Sequence, residues 1–198
     1  MCIRDSAGSG DDLIDGGFGN DRLEGEAGND QYHLASGWGS DLIVDSAGID
    51  SVIFSGVNPT DLLLRRDGSD LVVVNQTTGD QLRIQGQFSG QAGVAGATAV
   101  EQFVFDGAIS WDYEAIKLKA LEGTGQNDTI YGHADDDVIS AGNGDDLVLA
   151  ADGSDTVSGE AGADTLQGGA GHDLLSGGEG SDRLEGCLLY TSPSPRDK

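Results

Sequence analysis

The chain is 198 residues long, enough for one or two modest domains, and its 35 acidic residues against 10 basic ones give a formal net charge of -25. That charge excludes nucleic acid and anionic membranes as partners, since both are held by Lys and Arg. No apolar run approaches the ~20 residues that span a bilayer, and residues 1–6 lead into polar sequence instead of the apolar core of a signal peptide. With 33 Gly and few aromatics, composition alone describes a disordered acidic segment, which only order along the chain can overturn.

The two ends differ from what lies beside them. Residues 1–6 read MCIRDS and residues 187–198 read CLLYTSPSPRDK. One back-translation of the first has a reverse complement encoding Cys-Leu-Leu-Tyr-Thr, the order found from Cys187 to Thr191. The pair resembles translated adapter DNA flanking an insert in both orientations. On this reading the native sequence covers about residues 7–186, and both cysteines, Cys2 and Cys187, fall outside it. A Cys-free remainder needs no disulfide and is compatible with life outside the cytoplasm.

A nine-residue unit starts at Ala7: AGSGDDLID, then GGFGNDRLE from Gly16 and GEAGNDQYH from Gly25. After a two-residue insertion (Leu34, Ala35) come SGWGSDLIV from Ser36 and DSAGIDSVI from Asp45. The sixth positions of this first array, residues 7–55, are Asp12, Asp21, Asp30, Asp41 and Asp50.

Residues 56–122 hold no nonapeptide. DLLLRR from Asp61, LVVVN from Leu71 and QLRIQGQF from Gln81 read as strands joined by the turns DGSD and TTGD, giving two hairpins. EQFVF from Glu101 is a further strand closed by the tight turn Asp106-Gly107. DYEAIKLKAL from Asp112 reads as a short helix with Asp112 as N-cap.

The second array fills residues 123–186. It reads without a gap GTGQNDTIY, GHADDDVIS, AGNGDDLVL, AADGSDTVS, GEAGADTLQ, GGAGHDLLS and GGEGSDRLE. Position six is Asp128, Asp137, Asp146, Asp155, Asp164, Asp173 and Asp182; position eight is Ile130, Ile139, Val148, Val157, Leu166, Leu175 and Leu184. Asp at the sixth place of all twelve units is not an accident of composition, and the disordered reading fails.

Each unit has two halves. Six Gly-rich polar residues suit a turn with positive φ and close backbone approach. Three residues with one apolar side chain between two exposed ones suit a short strand. Two units make one coil of a parallel β-roll, so units n and n+2 stack about 4.8 Å apart with position eight inward. Asp128, Asp146, Asp164 and Asp182 then form one column, and Asp137, Asp155 and Asp173 the opposite one. Carboxylates so spaced repel by roughly 1 kcal/mol in water and about 3.5 kcal/mol at an effective dielectric of 20. One aliphatic side chain per nine residues is too small a core to offset this, so the roll is not expected to fold without a cation.

The unit is the GGxGxDxUx nonapeptide and resembles the repeats-in-toxin family of haemolysin-type calcium-binding proteins. The expected fold is all-β: two parallel β-roll arrays with a small antiparallel segment and one short helix between them. The cofactor expected is Ca²⁺, several ions, because this ion takes 6–8 oxygens in flexible geometry whereas Mg²⁺ demands a tight octahedron and Zn²⁺ wants Cys or clustered His. The resemblance implies that carbonyls near positions two and four join the twelve position-six aspartates as ligands. These are Gly8, Gly10, Gly17, Gly19, Gly28, Gly142, Gly144, Gly153, Gly162, Gly169, Gly171, Gly178 and Gly180. Gln126 and Asp135 depart from glycine at position four, so their turns are read as doubtful sites or as capping turns. The extra acids at position five, Asp11, Asp136 and Asp145, are read as solvated.

Residues 61–116 resemble the haemolysin-type calcium-binding-related domain often found between such arrays, expected to cap one roll and start the next. The resemblance further implies a secreted, extracellular protein that leaves Gram-negative bacteria by type I secretion, through a C-terminal signal beyond Gly186. Calcium ions and that apparatus are the partners expected. His33, His133 and His172 occupy unrelated repeat positions and read as surface residues; Trp38 and Trp111 read as packing residues. No HExxH or GxSxG occurs, so no catalytic constellation is expected in the fragment. The parent is read as a calcium-folded module, with two alternatives: a larger extracellular enzyme (protease, lipase or polysaccharide-degrading) carrying this as a secretion and folding aid, or an adhesin or surface-layer protein using it as a spacer.

Overall fold

The structure, a computed structural model, describes residues 4–6, 8–90, 98–107 and 109–186. The terminal stretches 1–3 and 187–198 of the adapter-like sequence lie outside the described residues. Over the described residues the chain is all-β apart from one short helix, as expected from the repeats and the segment between them. It divides into two compact units, Met1–Glu122 and Gly123–Lys198.

In the first unit the strands are β1 (Arg4–Ser6), β2 (Leu13–Asp15), β3 (Arg22–Ala27), β4 (Gln31–Ala35), β5 (Ser40–Ala47) and β6 (Ser51–Ser55). A 3-10 turn over Pro59–Asp61 leads to β7 (Leu62–Asp67), β8 (Asp70–Asn75), β9 (Gln81–Ile84), β10 (Gln102–Phe105) and β11 (Ile109–Asp112). The helix α1 (Tyr113–Lys119) follows, and its N-cap Asp112 accepts from the Ala115 amide at 2.9 Å.

Odd and even rungs separate into two sheets, with orders β1-β3-β5-β9-β8-β7 and β11-β10-β6-β4-β2. The neighbours β1, β3, β5 and β9 are parallel, as are β2, β4, β6 and β10. The insertion Leu34-Ala35 lengthens β4 without breaking this stacking, since two residues preserve the inward-outward alternation.

The segment after the first array does not form a unit of its own. Its hairpin partners β7 and β8 are antiparallel, but β9 pairs parallel with β5 and β10 parallel with β6, so the segment adds the next rung to each sheet. It also widens the core. Trp38, Phe54, Phe103 and Phe105 are buried, Trp38 packing on Phe54 at 5.7 Å and Phe105 on Trp111 at 4.7 Å between ring centroids. The Trp38 indole N–H donates to the Gln81 carbonyl at 3.0 Å, so this turn residue is wholly interior.

In the second unit β12 (Glu122–Thr124), β14 (Val138–Gly142), β16 (Thr156–Ala161) and β18 (Leu174–Glu179) form one sheet. The other holds β13 (Thr129–Tyr131), β15 (Leu147–Leu149), β17 (Thr165–Gln167) and β19 (Arg183–Glu185). The register is eighteen residues, Ile130 on Val148 on Leu166 on Leu184 and Ile139 on Val157 on Leu175. Position eight is buried from Ile130 to Leu166; Leu184, on the last rung described, is 47% exposed.

Candidate metal centre

The turns that carry the aspartates stack backbone on backbone, which explains glycine at position four. A methyl group on Gly28 or Gly162 would collide with the carbonyl oxygen of Gly10 or Gly144, one coil earlier, and both residues have φ near the mirror-β region, +146° and +147°. Position two is left-handed in most turns, three times without glycine: Glu26, Ala151 and Glu160 have φ of 71°, 84° and 72°. Each of these carries about 1–2 kcal/mol of strain.

Position six sits where the turn enters the strand. Its amide donates to the carboxylate of the next aspartate in the same column. The bonds run Asp12 to Asp30 (2.9 Å) and Asp30 to Asp50 (2.8 Å) in one column, and Asp21 to Asp41 (2.9 Å) in the other. In the second unit they run Asp128 to Asp146 (2.7 Å), Asp146 to Asp164 (2.9 Å) and Asp164 to Asp182 (3.1 Å), opposite Asp137 to Asp155 (2.8 Å) and Asp155 to Asp173 (3.2 Å). All twelve position-six aspartates thus stand in four columns.

One carboxylate oxygen is consumed by this ladder. The other is not. Oδ2 of Asp30, Asp41, Asp50, Asp146, Asp155, Asp164 and Asp173 is buried and accepts no hydrogen bond. A buried carboxylate oxygen without a donor is strongly disfavoured, and here the pattern recurs rung after rung. The donors available are acidic oxygens and turn carbonyls, a hard set suited to Ca²⁺. Among the glycine carbonyls, those of Gly8 and Gly19 each accept an amide from the next coil, at 3.2 and 3.1 Å, and retain a second lone pair.

The first rungs of the second unit are built differently. Asp128 Oδ2 accepts from the amide and hydroxyl of Thr124 at 2.6 and 2.7 Å, and Asp137 Oδ2 from the His133 amide at 2.5 Å. These carboxylates close their own turns, the turns whose fourth residue is Gln126 or Asp135. His133 is buried, not at the surface, because its turn folds back onto Asp137.

The acids at position five are exposed but not merely solvated. Asp11, Asp136 and Asp145 accept from the amides of Asn29, Ser154 and Ala163 at 2.9, 2.7 and 2.9 Å. They form an outer ladder that runs opposite in sense to the inner one. His33 is a cross-strand clasp, with Nδ1 2.9 Å from Asp15 Oδ2 and Nε2 2.8 Å from Ser55 Oγ; hydrogen bonding to His33 holds the Asp15 pKa below its ordinary value.

Three acids escaped the repeat reading. Glu101 stands one rung beyond Asp50 and accepts its amide at 2.6 Å, extending that column. Asp80 accepts from the amides of Gly37 and Gly39 at 2.8 and 3.1 Å, while Leu82 takes the place of a position-six acid beside Asp41. Asp45, at position one of its unit, is buried and receives the Tyr32 hydroxyl. Only the position-one departure from glycine was visible locally; the other two depend on pairings 41 to 51 residues apart.

Burial raises the Asp50 carboxyl to about 7 and Asp41 to about 6, against an ordinary 3.8, and also lifts Asp30, Asp146 and Asp155. A pKa raised on folding means the folded chain holds more protons than the unfolded one between the two values. In chelator the fold should therefore gain stability as pH falls from 8 towards 5, and lose it as pH rises through 7. Protons and Ca²⁺ compete for the same oxygens of the folded form, so calcium added to the fold at pH 5.5 should release protons that it does not release at pH 8. Circular dichroism in chelator at the two pH values checks the first sign, and proton release on calcium addition checks the second.

Stacked turns, four carboxylate columns and repeated bare inner oxygens define a calcium-binding parallel β-roll. The sequence description of the RTX calcium-binding nonapeptide repeat (4 copies) matches residues 6–32, 120–148 and 149–184, and that of the haemolysin-type calcium binding protein related domain matches residues 70–115. The chain belongs to the RTX haemolysin-type calcium-binding repeat proteins and binds Ca²⁺ at several of its repeats. A search of curated proteins gives no match. The units from Ser36 and Asp45 lie beyond the first matched stretch, yet β5 and β6 stack in step with it.

Proposed function

We propose that the chain is a calcium-triggered folding module of a secreted protein, passing a type I secretion apparatus unfolded and closing into its rolls outside the cell. The carrying observation is the recurrence of buried Asp Oδ2 atoms without a hydrogen-bond donor along both rolls. Bound there, Ca²⁺ supplies the positive charge and the coordination those oxygens need. The chain's own residues do the rest: glycine turns bring carbonyls close, the amide ladder orients each carboxylate, and position eight gives the strands a dry edge.

Where calcium is scarce, neighbouring carboxylates repel and the narrow core does not hold the coil. Where it is plentiful, binding to the folded form alone shifts the equilibrium by mass action. Extracellular modules typically bind at about 10⁻⁴–10⁻³ M, a range fitted to a fold-on-exit device. The net charge of -25 adds self-repulsion that favours the open chain before export. Among the described residues no helix is long and apolar enough to cross a membrane. The module binds and folds; catalysis belongs to whatever it is joined to.

The test is circular dichroism of the purified chain in EGTA, then with Ca²⁺ or Mg²⁺ added. A β spectrum that appears with calcium and not with magnesium supports the reading. A full β spectrum already present in EGTA refutes it.

A further inference from the structure

The place where the first array departs from its own pattern is also where its acids crowd most. Asp30 and Asp50 are consecutive position-six residues of one column, and the unit that carries Asp50 opens with Asp45 where a glycine is usual. One carboxylate oxygen from each of the three lies within 4.8 Å of the others. The residues are 0%, 4% and 0% exposed. Hydrogen bonds account for only part of this group. Asp30 and Asp50 each use Oδ1 for an amide of the ladder, and their Oδ2 atoms have no donor.

A second feature points to a ligand. Gly25 lines the same space: a methyl group there would collide with Asp30 Oδ2, Asp45 Oδ2 and the Tyr32 hydroxyl together. The hollow is kept by a missing side chain and walled by oxygen. Asp45 is held towards it at both ends, its Oδ1 accepting from the Ser46 amide at 2.5 Å and its Oδ2 from Tyr32.

We propose that Asp30, Asp45 and Asp50 form a three-carboxylate calcium site at the end of the first array, distinct from the two-aspartate repeat sites, with Asp45 as its added ligand. This rests on the reading of the position-six columns as calcium sites and adds a non-repeat residue to one of them. Three anionic ligands bind a divalent cation more tightly than two, because affinity rises with ligand charge. The site is the tightest of the first unit and fills first. It couples the last repeat to the rung on which Glu101 receives the Asp50 amide, so filling it locks the array to the segment that ends it.

Calorimetric titration of the full chain with Ca²⁺, paired with Tb³⁺ titration read by tyrosine-sensitised emission, tests this. The wild type should show a tight class of one ion ahead of the others. Asp45→Asn should weaken that class by roughly tenfold or more and leave the remaining classes in place. Should Asp45→Asn fail to fold in calcium, Asp45→Gly restores the residue usual at position one, and is expected to fold with the tight class gone. Unchanged affinity and ion count in the variant that folds would overturn the assignment of Asp45 while leaving the repeat sites standing. A wild type that binds no calcium would overturn both.

Discussion

Asp146→Ala combined with Asp164→Ala is expected to abolish calcium-induced structure in the second unit at millimolar calcium, whereas Asp145→Ala leaves it largely intact. The two inner aspartates are buried, adjacent in one column, and carry bare oxygens facing the inter-coil spaces. Removing both strips carboxylate oxygen from three successive spaces, between Asp128 and Asp182, and leaves the amides of Asp128 and Asp146 without their acceptors. Asp145 is exposed and contributes one hydrogen bond, to the Ala163 amide, worth about 0.5–1.5 kcal/mol. Calcium titration by circular dichroism separates the cases. Equal losses from the double variant and from Asp145→Ala would show that the ligating position is misassigned.

Gly162→Ala is expected to be as severe, and calcium should not rescue it. The added methyl group meets the Gly144 carbonyl oxygen, which belongs to the stacked backbone and has nowhere to go, and a φ of +147° is in any case closed to alanine. The cost should exceed roughly 4 kcal/mol, the range in which a module of this size loses its fold. Gly17→Ala is the control: its φ of +70° is left-handed, but nothing lies within 4 Å of the added carbon. There the penalty is only the conformational one, about 1–2 kcal/mol. Thermal unfolding of both variants in saturating calcium checks the contrast. Similar losses would mean that the turns do not stack as closely as Gly28, Gly39, Gly162 and Gly171 indicate.

Much of this fold was legible because a nonapeptide repeat encodes its own stacking. The same spacing that puts Asp at position six puts Ile14, Leu23, Ile43, Val148 and Leu166 inward, and all are buried. Tyr32 could be placed inward by position alone, but not its bond to Asp45, since a phenol reaches further than the aliphatic side chain usual there. Glu101 and Asp80 were illegible for a different reason. Their roles depend on β9 and β10 joining the roll in parallel, and nothing local to EQFVF or TTGDQLRI distinguishes that from an independent hairpin. The position-five acids look solvated in any count of exposure; their partners are amides eighteen residues away.

The ladders also have a direction. At position six the amide of one coil reaches forward to the acid of the next, while at position five the acid of one coil takes the amide of the next. Each coil is thus a template for its neighbour and has little reason to hold shape alone, as in other one-dimensional stacks. Among the described residues of the first unit, one end carries a mould of ordinary breadth, the aromatic cluster of Trp38, Phe54, Phe103 and Phe105. If calcium triggers folding as proposed, assembly there is expected to start at that end and advance coil by coil towards Gly8, each captured ion laying the surface for the next.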